Sequence, residues 1–350
     1  MMAQVLITGA TGFIGFRTLV VLLNAQYNVR VAIRRPDQET QIRNAASIKE
    51  HLSQLSFILV PDNTIVGAYQ AAVQSVDHVI HVASPVPSKL DIQARKTSDT
   101  SWADMFYDPA IKGTLEMLRA VADTPSVKRV VITSSGNVLA SVVGEKGDSS
   151  STIRCCPSMV EAEAVENAGQ AYKMSKILAI TAARDFVRAQ QDQGVTHFSV
   201  VYICSGYVQG AHELCDSVED SFLTTSGGTL NLAVGKSLPI PVKSQIWVED
   251  VAKAHVMSLT SSRIDDGDVL VLVGNDGQGW EWAEVADTLR QKFSTEIEKG
   301  VLKPALDQKS MPLHFDSRET QSKLGWPFAG PEVWAVEVVG QYLMLERKLS

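Results

Sequence analysis

Six short apolar runs, mostly of β-branched residues, alternate with segments of helical spacing, and this alternation is what most constrains the fold. The runs span 4–9, 28–34, 56–62, 76–84, 127–135 and 196–204. Residues 13–26 and 110–124 carry apolar side chains at spacings of three and four, as amphipathic helices do. Strands that are apolar on both faces and alternate with helices form a parallel sheet covered on both sides. The sequence therefore predicts an α/β protein with a doubly wound parallel sheet.

The pattern changes after about residue 205, which indicates a second, smaller unit. Residues 206–242 are rich in Gly, Ser and Thr, whereas 244–259 and 268–274 again have the pattern of strand and helix. From about 275 onward, helical segments alternate with loops that contain Pro and Gly. We therefore predict a large domain of residues 1–205 and 243–274, interleaved with a smaller C-terminal domain of residues 206–242 and 275–350.

Composition argues against several classes of partner. With 32 Lys and Arg against 39 Asp and Glu, the formal net charge is −7, and no basic run indicates a nucleic-acid footprint. No apolar stretch reaches the ~18 residues of a membrane span. The apolar amino-terminal segment also lacks the basic region of a secretory signal. We therefore expect a cytoplasmic protein that binds neither nucleic acid nor membrane.

The four cysteines form neither a CxxC motif nor a metal-ligand set with histidines. They are Cys155, Cys156, Cys204 and Cys215. Two adjacent cysteines are a poor frame for disulfides in so long a chain, so we interpret all four as reduced thiols. No metal site is predicted.

The segment TGATGFIG places Gly9, Gly12 and Gly15 between the first strand and the first helix. Glycines there permit a tight turn and let a pyrophosphate approach the backbone. The helix start adds unpaired N–H groups and the positive end of the helix dipole. In this strand–turn–helix context the spacing predicts a dinucleotide site on a Rossmann-type sheet. A glycine-rich turn that serves only packing is the alternative.

The end of the second strand, VAIRRPD, predicts which dinucleotide binds. An acidic residue there would accept hydrogen bonds from the ribose hydroxyls of NAD, whereas an arginine meets the 2′-phosphate of NADP. Arg34 occupies this position, with Arg35 after it. A planar guanidinium can hold phosphate through two parallel hydrogen bonds. We therefore predict NADPH as the cofactor and Arg34 as the residue that contacts its 2′-phosphate; two solvated surface arginines are the alternative.

A serine pair and a Tyr–Lys pair are the candidate proton-transfer groups. Ser134 and Ser135 end the fifth strand, at the edge where open α/β sheets bind ligands. Tyr172 and Lys176 are four residues apart in a helical segment, so they lie on one helix face. Each signal alone is weak, because such a helix pair is usually a surface pair and such a serine is usually a cap.

Taken together, GxxGxxG after the first strand, TSS after the fifth and YxxxK on the next long helix resemble the extended short-chain dehydrogenases/reductases. These enzymes form part of the NAD(P)-dependent epimerase/dehydratase superfamily. Within it, the chain is similar to the group of dihydroflavonol reductase, cinnamoyl-CoA reductase and the yeast methylglyoxal (aldehyde) reductases. Further matches, in the family's order, are HVASPV (81–86), DPAIKGTLEML (108–118), WVEDVAKAHV (247–256) and SKLGW (322–326).

The resemblance implies reduction of a carbonyl, with a hydride from the nicotinamide and a proton from Tyr172. An unperturbed tyrosine has a pKa of ~10. The ammonium of Lys176 is expected to lower that pKa and to hold the nicotinamide ribose. Ser135 is expected to orient the carbonyl oxygen and to stabilise its developing negative charge. The smaller domain would then bind the substrate.

The resemblance also implies further cofactor contacts, carried over position by position. Besides Arg34, Tyr172 and Lys176, the predicted cofactor-binding residues are Gly9, Thr11, Gly12, Phe13, Ile14 and Gly15 in the phosphate turn, Asp62 and Asn63 at the adenine, and Ala83, Ser84, Thr133, Val208 and Ser226.

Departures from the family bear on the activity. Ser205 replaces the usual proline after the sixth strand, and Trp247 replaces a histidine or phenylalanine and is interpreted as a packing residue. Gly136 and Asn137 stand where sugar dehydratases have an Asp–Glu pair, which argues against a dehydratase. Segment 141–169 lacks the Trp–Asn signature of the plant enzymes, so the resemblance does not predict that this chain acts on their substrates.

These observations predict an NADPH-dependent carbonyl reductase of secondary metabolism, acting on a ketone or aldehyde with a small or medium apolar or aromatic body. The alternatives are an epimerase or hydroxysteroid-type dehydrogenase with the same triad, and a dinucleotide sensor without turnover. Such sensors usually lack the tyrosine or the lysine. Since no heptad or long exposed edge indicates assembly, we expect a monomer, with a homodimer as the alternative.

Overall fold

The computed structural model describes residues 2–86, 101–140, 167–305, 307–311, 313 and 315–348. Its strands are β1 (Gln4–Thr8), β2 (Asn28–Ile33), β3 (Leu55–Leu59), β4 (His78–His81), β5 (Arg129–Thr133), β6 (Ser199–Ser205), β7 (Tyr207–Gln209), β8 (Gln245–Trp247) and β9 (Val269–Leu272). Seven of them form one sheet in the order β3-β2-β1-β4-β5-β6-β9, with every neighbouring pair parallel. The predicted doubly wound parallel sheet is confirmed, and all six strands expected before residue 205 are present.

Helices cover both faces of this sheet. They are α1 (Phe13–Asn24), α2 (Asp37–Asn44), α3 (Asp108–Ala122), α4 (Gly136–Ala140), α5 (Ala168–Asp192), α6 (Val218–Ser221), α7 (Gly227–Ala233), α8 (Val248–Met257), α9 (Trp282–Lys292), α10 (Ser294–Glu298), α11 (Arg318–Leu324) and α12 (Pro331–Arg347). A π-helical turn, Ala103–Tyr107, precedes α3, and 3-10 turns span Ala46–Gln54 and Asn275–Gly277. Within the described ranges, none of the helices combines the length and apolarity needed to cross a bilayer.

Alternating side chains of each strand reach opposite faces of the sheet and build two cores. Val5 and Ile7 of β1 pack with Leu19 of α1 and Val251 of α8. Leu6, between them in sequence, instead belongs to the core formed with α3 and α5. The period of two along a strand explains this division. It also places the residue after Ile7, Thr8, on the α3/α5 side at the carboxyl end of β1.

A third apolar cluster lies outside the sheet. Leu230 and Leu232 of α7 pack there with Trp282 of α9 and Trp334 of α12. This cluster joins the two segments that the sequence assigned to the smaller domain, 206–242 and 275–350. The domain division itself remains a prediction.

Part of the carboxyl-terminal segment returns to the large sheet. The Thr320 side chain of α11 accepts a hydrogen bond from Val271 N of β9 at 2.9 Å, and Leu324 is buried in the sheet core. Helix α11 ends at Gly325, whose φ of 89° is left-handed, as the SKLGW pattern indicates. The contacts of α11 therefore lie with the predicted large domain.

Candidate active site

The glycine turn between β1 and α1 is closed by contacts that a side chain would prevent. Gly9 has a φ of +72°, and its carbonyl oxygen accepts a hydrogen bond from Gly12 N at 3.0 Å. A Cβ added at Gly15 would lie 2.1 Å from that same oxygen. The turn therefore requires glycine at both ends, for backbone conformation at Gly9 and for space at Gly15.

The start of α1 is suited to an anion. In the described residues no side chain caps this helix, and its first turn, which includes Phe13 and Ile14, has no acidic residue. The first N–H groups of a helix lack intrahelical partners and carry the positive end of the helix dipole. Backbone N–H groups of the predicted turn residues can thus hold a pyrophosphate.

The end of β2 carries two arginines that differ in their partners among the described residues. The Arg35 guanidinium contacts both carboxylate oxygens of Asp37 at 3.2 Å and holds the pKa of that carboxyl below its usual range. The side chain of Arg34 is exposed and makes no hydrogen bond or ion pair with the described residues. Of the two arginines, Arg34 is therefore the one whose guanidinium is available for an ion pair with a bound phosphate.

Asp62 and Asn63 shape the loop after β3. The Asp62 side chain accepts hydrogen bonds from Thr64 N at 2.8 Å and Thr64 Oγ1 at 2.6 Å, which lower its pKa. Asn63 lies close enough to the buried Tyr69 hydroxyl to act on its pKa as a hydrogen-bond partner, and it lies against Gly113 of α3, where an added Cβ would be 2.5 Å from Asn63 Nδ2. The absence of a side chain at Gly113 thus makes room for Asn63.

The hydroxyl of Thr8 and a histidine organise the carboxyl end of β4. Thr8 Oγ1 accepts a hydrogen bond from Ala83 N at 3.0 Å and lies 3.0 Å from Nδ1 of His81. His81 is buried, and burial together with the charge of Lys176 lowers its pKa to about 4. The predicted residues Ala83 and half-buried Ser84 follow directly, so they lie beside the phosphate turn, where Gly9 meets Ala83 N.

Helix α5 brings Tyr172 and Lys176 to Ser135. Asn167 caps the helix by accepting a hydrogen bond from Gln170 N at 3.0 Å. Ser135 lies close enough to Tyr172 to act as a hydrogen-bond partner that lowers the tyrosine pKa, and Nζ of the buried Lys176 is 5.6 Å from the centre of the Tyr172 ring. The Ser135 oxygen accepts a hydrogen bond from Asn137 N at 3.2 Å, which leaves its own hydrogen for the tyrosine oxygen. The structure therefore assembles all three predicted triad residues.

Burial dominates the titration of this triad. It raises the pKa of Tyr172, although the hydrogen bond with Ser135 acts in the opposite direction. It lowers the pKa of Lys176 to about 8, partly offset by the Cys204 thiol nearby. The sequence led us to expect a lowered tyrosine pKa. That direction is wrong for this structure, because removal of the phenol from water outweighs its favourable contacts.

The hydroxyl of Thr133 is hydrogen-bonded to a buried histidine. It lies 2.7 Å from Nε2 of the buried His255, whose Nδ1 lies 2.7 Å from the carbonyl oxygen of Val251. Since a carbonyl only accepts, Nδ1 carries the proton and Nε2 accepts from Thr133. A cofactor contact from Thr133 would therefore come from its backbone. The neighbouring Ser134 Oγ is buried and has no hydrogen-bond partner among the described residues.

Ser226 is likewise engaged with the protein backbone. Its hydroxyl donates to Gly210 O at 2.7 Å and accepts from Gly210 N at 3.1 Å. The hydroxyl thus fixes the chain just after β7, where Val208 is buried in the sheet core. A direct cofactor contact by either side chain stays a prediction.

Two departures from the family have packing roles. Trp247 Nε1 donates to Glu337 Oε2 at 2.7 Å and so joins β8 to α12, as the packing interpretation requires. Ser205 is the buried last residue of β6. Segment 141–166, with Cys155 and Cys156, lies outside the described residues; Cys204 and Cys215 are buried and form no disulfide within the described ranges. Across the described ranges, no group of three or more His, Cys, Asp or Glu side chains is arranged to hold a metal.

Gln38 was missed by the sequence reasoning. Its buried side chain connects the phosphate turn to the end of β2, through Thr11 and the backbone of Arg34. The sequence signal for this role was RRPDQ, in which Pro and Asp begin a helix and a glutamine follows in its first turn. A glutamine at that position commonly hydrogen-bonds to the backbone that precedes the helix.

Comparison with known proteins identifies the family of the chain. The model of the NAD dependent epimerase/dehydratase family matches residues 5–274. The chain is 36% identical over 266 residues to the NAD-dependent epimerase/dehydratase ALT6 of Alternaria alternata, covering 73% of this chain and 72% of that one. It is 28% identical over 358 residues to the ketoreductase CTB6 of Cercospora beticola, covering 98% and 96%.

Solved structures support the fold. The yeast methylglyoxal/isovaleraldehyde reductase Gre2, solved in complex with NADPH, superposes with a TM-score of 0.82 at 23% identity, covering 99% of each chain. Vestitone reductase from alfalfa superposes with a TM-score of 0.67 at 20% identity, covering 99% and 98%. At these identities the likeness establishes a shared architecture.

Proposed function

The chain belongs to the NAD dependent epimerase/dehydratase family, and we propose that it is an NADPH-dependent carbonyl reductase. Its substrate would be a ketone or aldehyde with a small or medium apolar or aromatic body. The observation that carries the proposal is the placement of Ser135 next to Tyr172, with Lys176 5.6 Å from the tyrosine ring, at the carboxyl edge of the sheet. The ketoreductase name of the Cercospora relative and the NADPH of the Gre2 complex support it.

The triad supplies the proton that a carbonyl needs when it is reduced. NADPH, when bound, supplies the hydride. Tyr172 donates its hydroxyl proton to the carbonyl oxygen, and its raised pKa keeps the phenol protonated at neutral pH. When the carbonyl oxygen is bound, Ser135 turns its single hydrogen from the tyrosine oxygen to the carbonyl oxygen and stabilises the developing negative charge. The Lys176 ammonium stabilises the phenolate that remains.

The residues around the phosphate turn fit this cofactor. The turn is so tight that a Cβ added at Gly9 or Gly15 would collide with the backbone around it. The start of α1 offers backbone N–H groups. Arg34 would hold the 2′-phosphate, and Asp62 and Asn63 would border the adenine. The remaining contacts would come from Gly12, Thr11, Phe13, Ile14, Ala83, Ser84, Thr133, Val208, Ser226, Tyr172 and Lys176.

The main alternative is an epimerase or a hydroxysteroid-type dehydrogenase that uses the same triad. The name of the Alternaria relative, an epimerase/dehydratase, supports this alternative. An epimerase returns its cofactor to the starting oxidation state, so it gives no net consumption of NADPH. Cytoplasmic location and a monomeric state, with a homodimer as the alternative, remain predictions from the sequence.

The test is NADPH oxidation, followed by absorbance, with a panel of aldehydes, aryl ketones and β-dicarbonyls. Wild type is compared with Tyr172→Phe and with a control, Tyr27→Phe, which changes a tyrosine that packs beneath α1. Turnover in wild type and control, lost in Tyr172→Phe, supports a reductase. Tight NADPH binding without turnover on any carbonyl would contradict it and favour an epimerase or a sensor.

A further inference from the structure

We propose that Gln38 is a positioning residue for the 2′-phosphate of NADPH, and that it sets the preference of this protein for NADPH over NADH. It would act through two groups, the hydroxyl of Thr11 and the backbone that carries Arg34. The inference rests on the proposed use of NADPH and on the proposed contact between Arg34 and the 2′-phosphate.

The orientation of the Gln38 amide follows from its neighbours. Gln38 lies in the first turn of α2 with 7% of its surface exposed. Its Oε1 accepts hydrogen bonds from Arg34 N at 2.7 Å and Arg35 N at 3.3 Å. Both partners are N–H donors, so only the amide oxygen can face them. Nε2 therefore points at Thr11, 3.2 Å from Oγ1.

This orientation decides what the Thr11 hydroxyl can do. Its oxygen accepts a hydrogen bond from Gln38 Nε2. A hydroxyl has a single hydrogen, and the Gln38 amide nitrogen cannot accept it. The hydrogen is therefore directed away from Gln38 and is available to an acceptor. A phosphate dianion offers such acceptors, and hydrogen bonds to ionised groups are stronger than neutral ones.

The same amide fixes the backbone of Arg34. Two hydrogen bonds to Oε1 hold the turn from β2 into α2, so the direction in which the Arg34 side chain leaves the backbone is set before a ligand arrives. Arg35, the other cation of this turn, is paired with Asp37. Holding the backbone in advance reduces the ordering cost that binding otherwise carries.

The two effects converge on the group by which the cofactors differ. NADPH carries a phosphate where NADH carries a ribose hydroxyl, and both the Thr11 hydrogen and the Arg34 guanidinium suit a dianion better than a hydroxyl. Loss of the Gln38 contacts should therefore weaken NADPH binding more than NADH binding.

The experiment measures dissociation constants of the purified full-length chain by calorimetry, for NADPH, NADH, 2′,5′-ADP and 5′-ADP. Gln38→Leu removes the amide at similar volume. Gln38→Glu can still accept from Arg34 N and Arg35 N but adds a negative charge beside the site. Gln54→Leu is the matched control, because the Gln54 side chain likewise binds the backbone, here by donating to Leu23 O and Tyr27 O at the other end of α1. Circular dichroism verifies folding.

We expect Gln38→Glu to reduce the NADPH/NADH affinity ratio at least about tenfold, mainly through weaker NADPH binding. Gln38→Leu should reduce it several-fold, and Gln54→Leu should leave it unchanged. The 2′,5′-ADP/5′-ADP ratio should follow the same order. An unchanged ratio in both Gln38 variants, or equal weakening of both cofactors, would overturn the inference.

Arg34→Ala separates this inference from the proposed function. If Arg34→Ala removes the preference for NADPH while both Gln38 variants retain it, Arg34 contacts the phosphate and only the role of Gln38 is wrong. If Arg34→Ala leaves the ratio unchanged, the proposed 2′-phosphate site itself is wrong.

Discussion

The Ser135 hydroxyl lies close enough to the Tyr172 hydroxyl to lower its pKa as a hydrogen-bond partner, which brings the end of β5 to the first turns of α5 across 37 residues of chain. This contact places a proton donor and a hydrogen-bond donor at one point on the carboxyl edge of the sheet. A carbonyl oxygen bound there would meet both groups, so the pair defines where the proposed reaction takes place.

Removal of either hydroxyl of the Ser135–Tyr172 pair should reduce turnover strongly. For Tyr172→Phe we expect kcat to fall by about 10²–10⁴-fold, because the proton donor is lost. Ser135→Ala should cost about 10²–10³-fold, since it removes one donor to the developing oxyanion. NADPH binding, measured by calorimetry, should change little in Ser135→Ala. A variant that keeps more than a tenth of wild-type turnover would contradict the assigned role of its residue.

Lys176 should set the alkaline limit of reduction. Its pKa of about 8 means that the ammonium is present below that pH and is lost as pH rises through it. Without the ammonium the Tyr172 phenolate is less stabilised, so kcat at saturating NADPH should decline above about pH 8. Lys176→Arg keeps a charged group and should move this decline to higher pH. The pH profile of kcat tests this prediction. If the alkaline decline of kcat occurs at the same pH in Lys176→Arg as in wild type, a group other than Lys176 causes it.

Buried histidines should make the fold sensitive to acid. Burial lowers the pKa values of His81, His212 and His255 from 6.5 to about 4. Between these values the unfolded chain takes up protons that the folded chain does not, so stability is full above about pH 6.5 and is lost as pH falls toward 4. Urea unfolding at pH 7.5 and pH 5 measures the loss.

The variant His255→Leu tests one of these groups. It should be less stable than wild type at pH 7.5 by about 1–3 kcal/mol, because the Thr133 hydroxyl loses its partner. Its further loss between pH 7.5 and pH 5 should be smaller than that of wild type. An equal loss in both proteins would exclude His255 as a source of the acid sensitivity.

A methyl group at Gly113 should disturb the loop that carries Asn63. The added Cβ would lie 2.5 Å from Asn63 Nδ2, so the amide must move and its contact with Tyr69 is lost. We expect Gly113→Ala to weaken NADPH binding several-fold by calorimetry. Gly340→Ala is the control, since an added Cβ there meets nothing within 4 Å. It should leave binding unchanged and stabilise α12 by up to about 1 kcal/mol. Equal NADPH affinity in both variants would argue against a role for this loop.

Local patterns were sufficient for much of the architecture and for the identity of the triad. Short apolar, β-branched runs such as 28–34 and the spacing of three and four in 13–26 predicted elements that the structure contains. The glycine turn and the end of α11 at Gly325 were also predictable, because a tight turn or a left-handed residue depends on a few neighbouring positions. What the sequence determined by itself was therefore the order of strands and helices, the family and the candidate residues.

Contacts between residues distant in sequence decided the rest. Only the fold places His255 against Thr133, Gly210 against Ser226, and Gln38 between Thr11 and Arg34. The direction of the Tyr172 pKa shift was predicted wrongly for the same reason. Desolvation depends on everything that packs around a group, whereas a pattern of spacing records only its neighbours along one helix or strand.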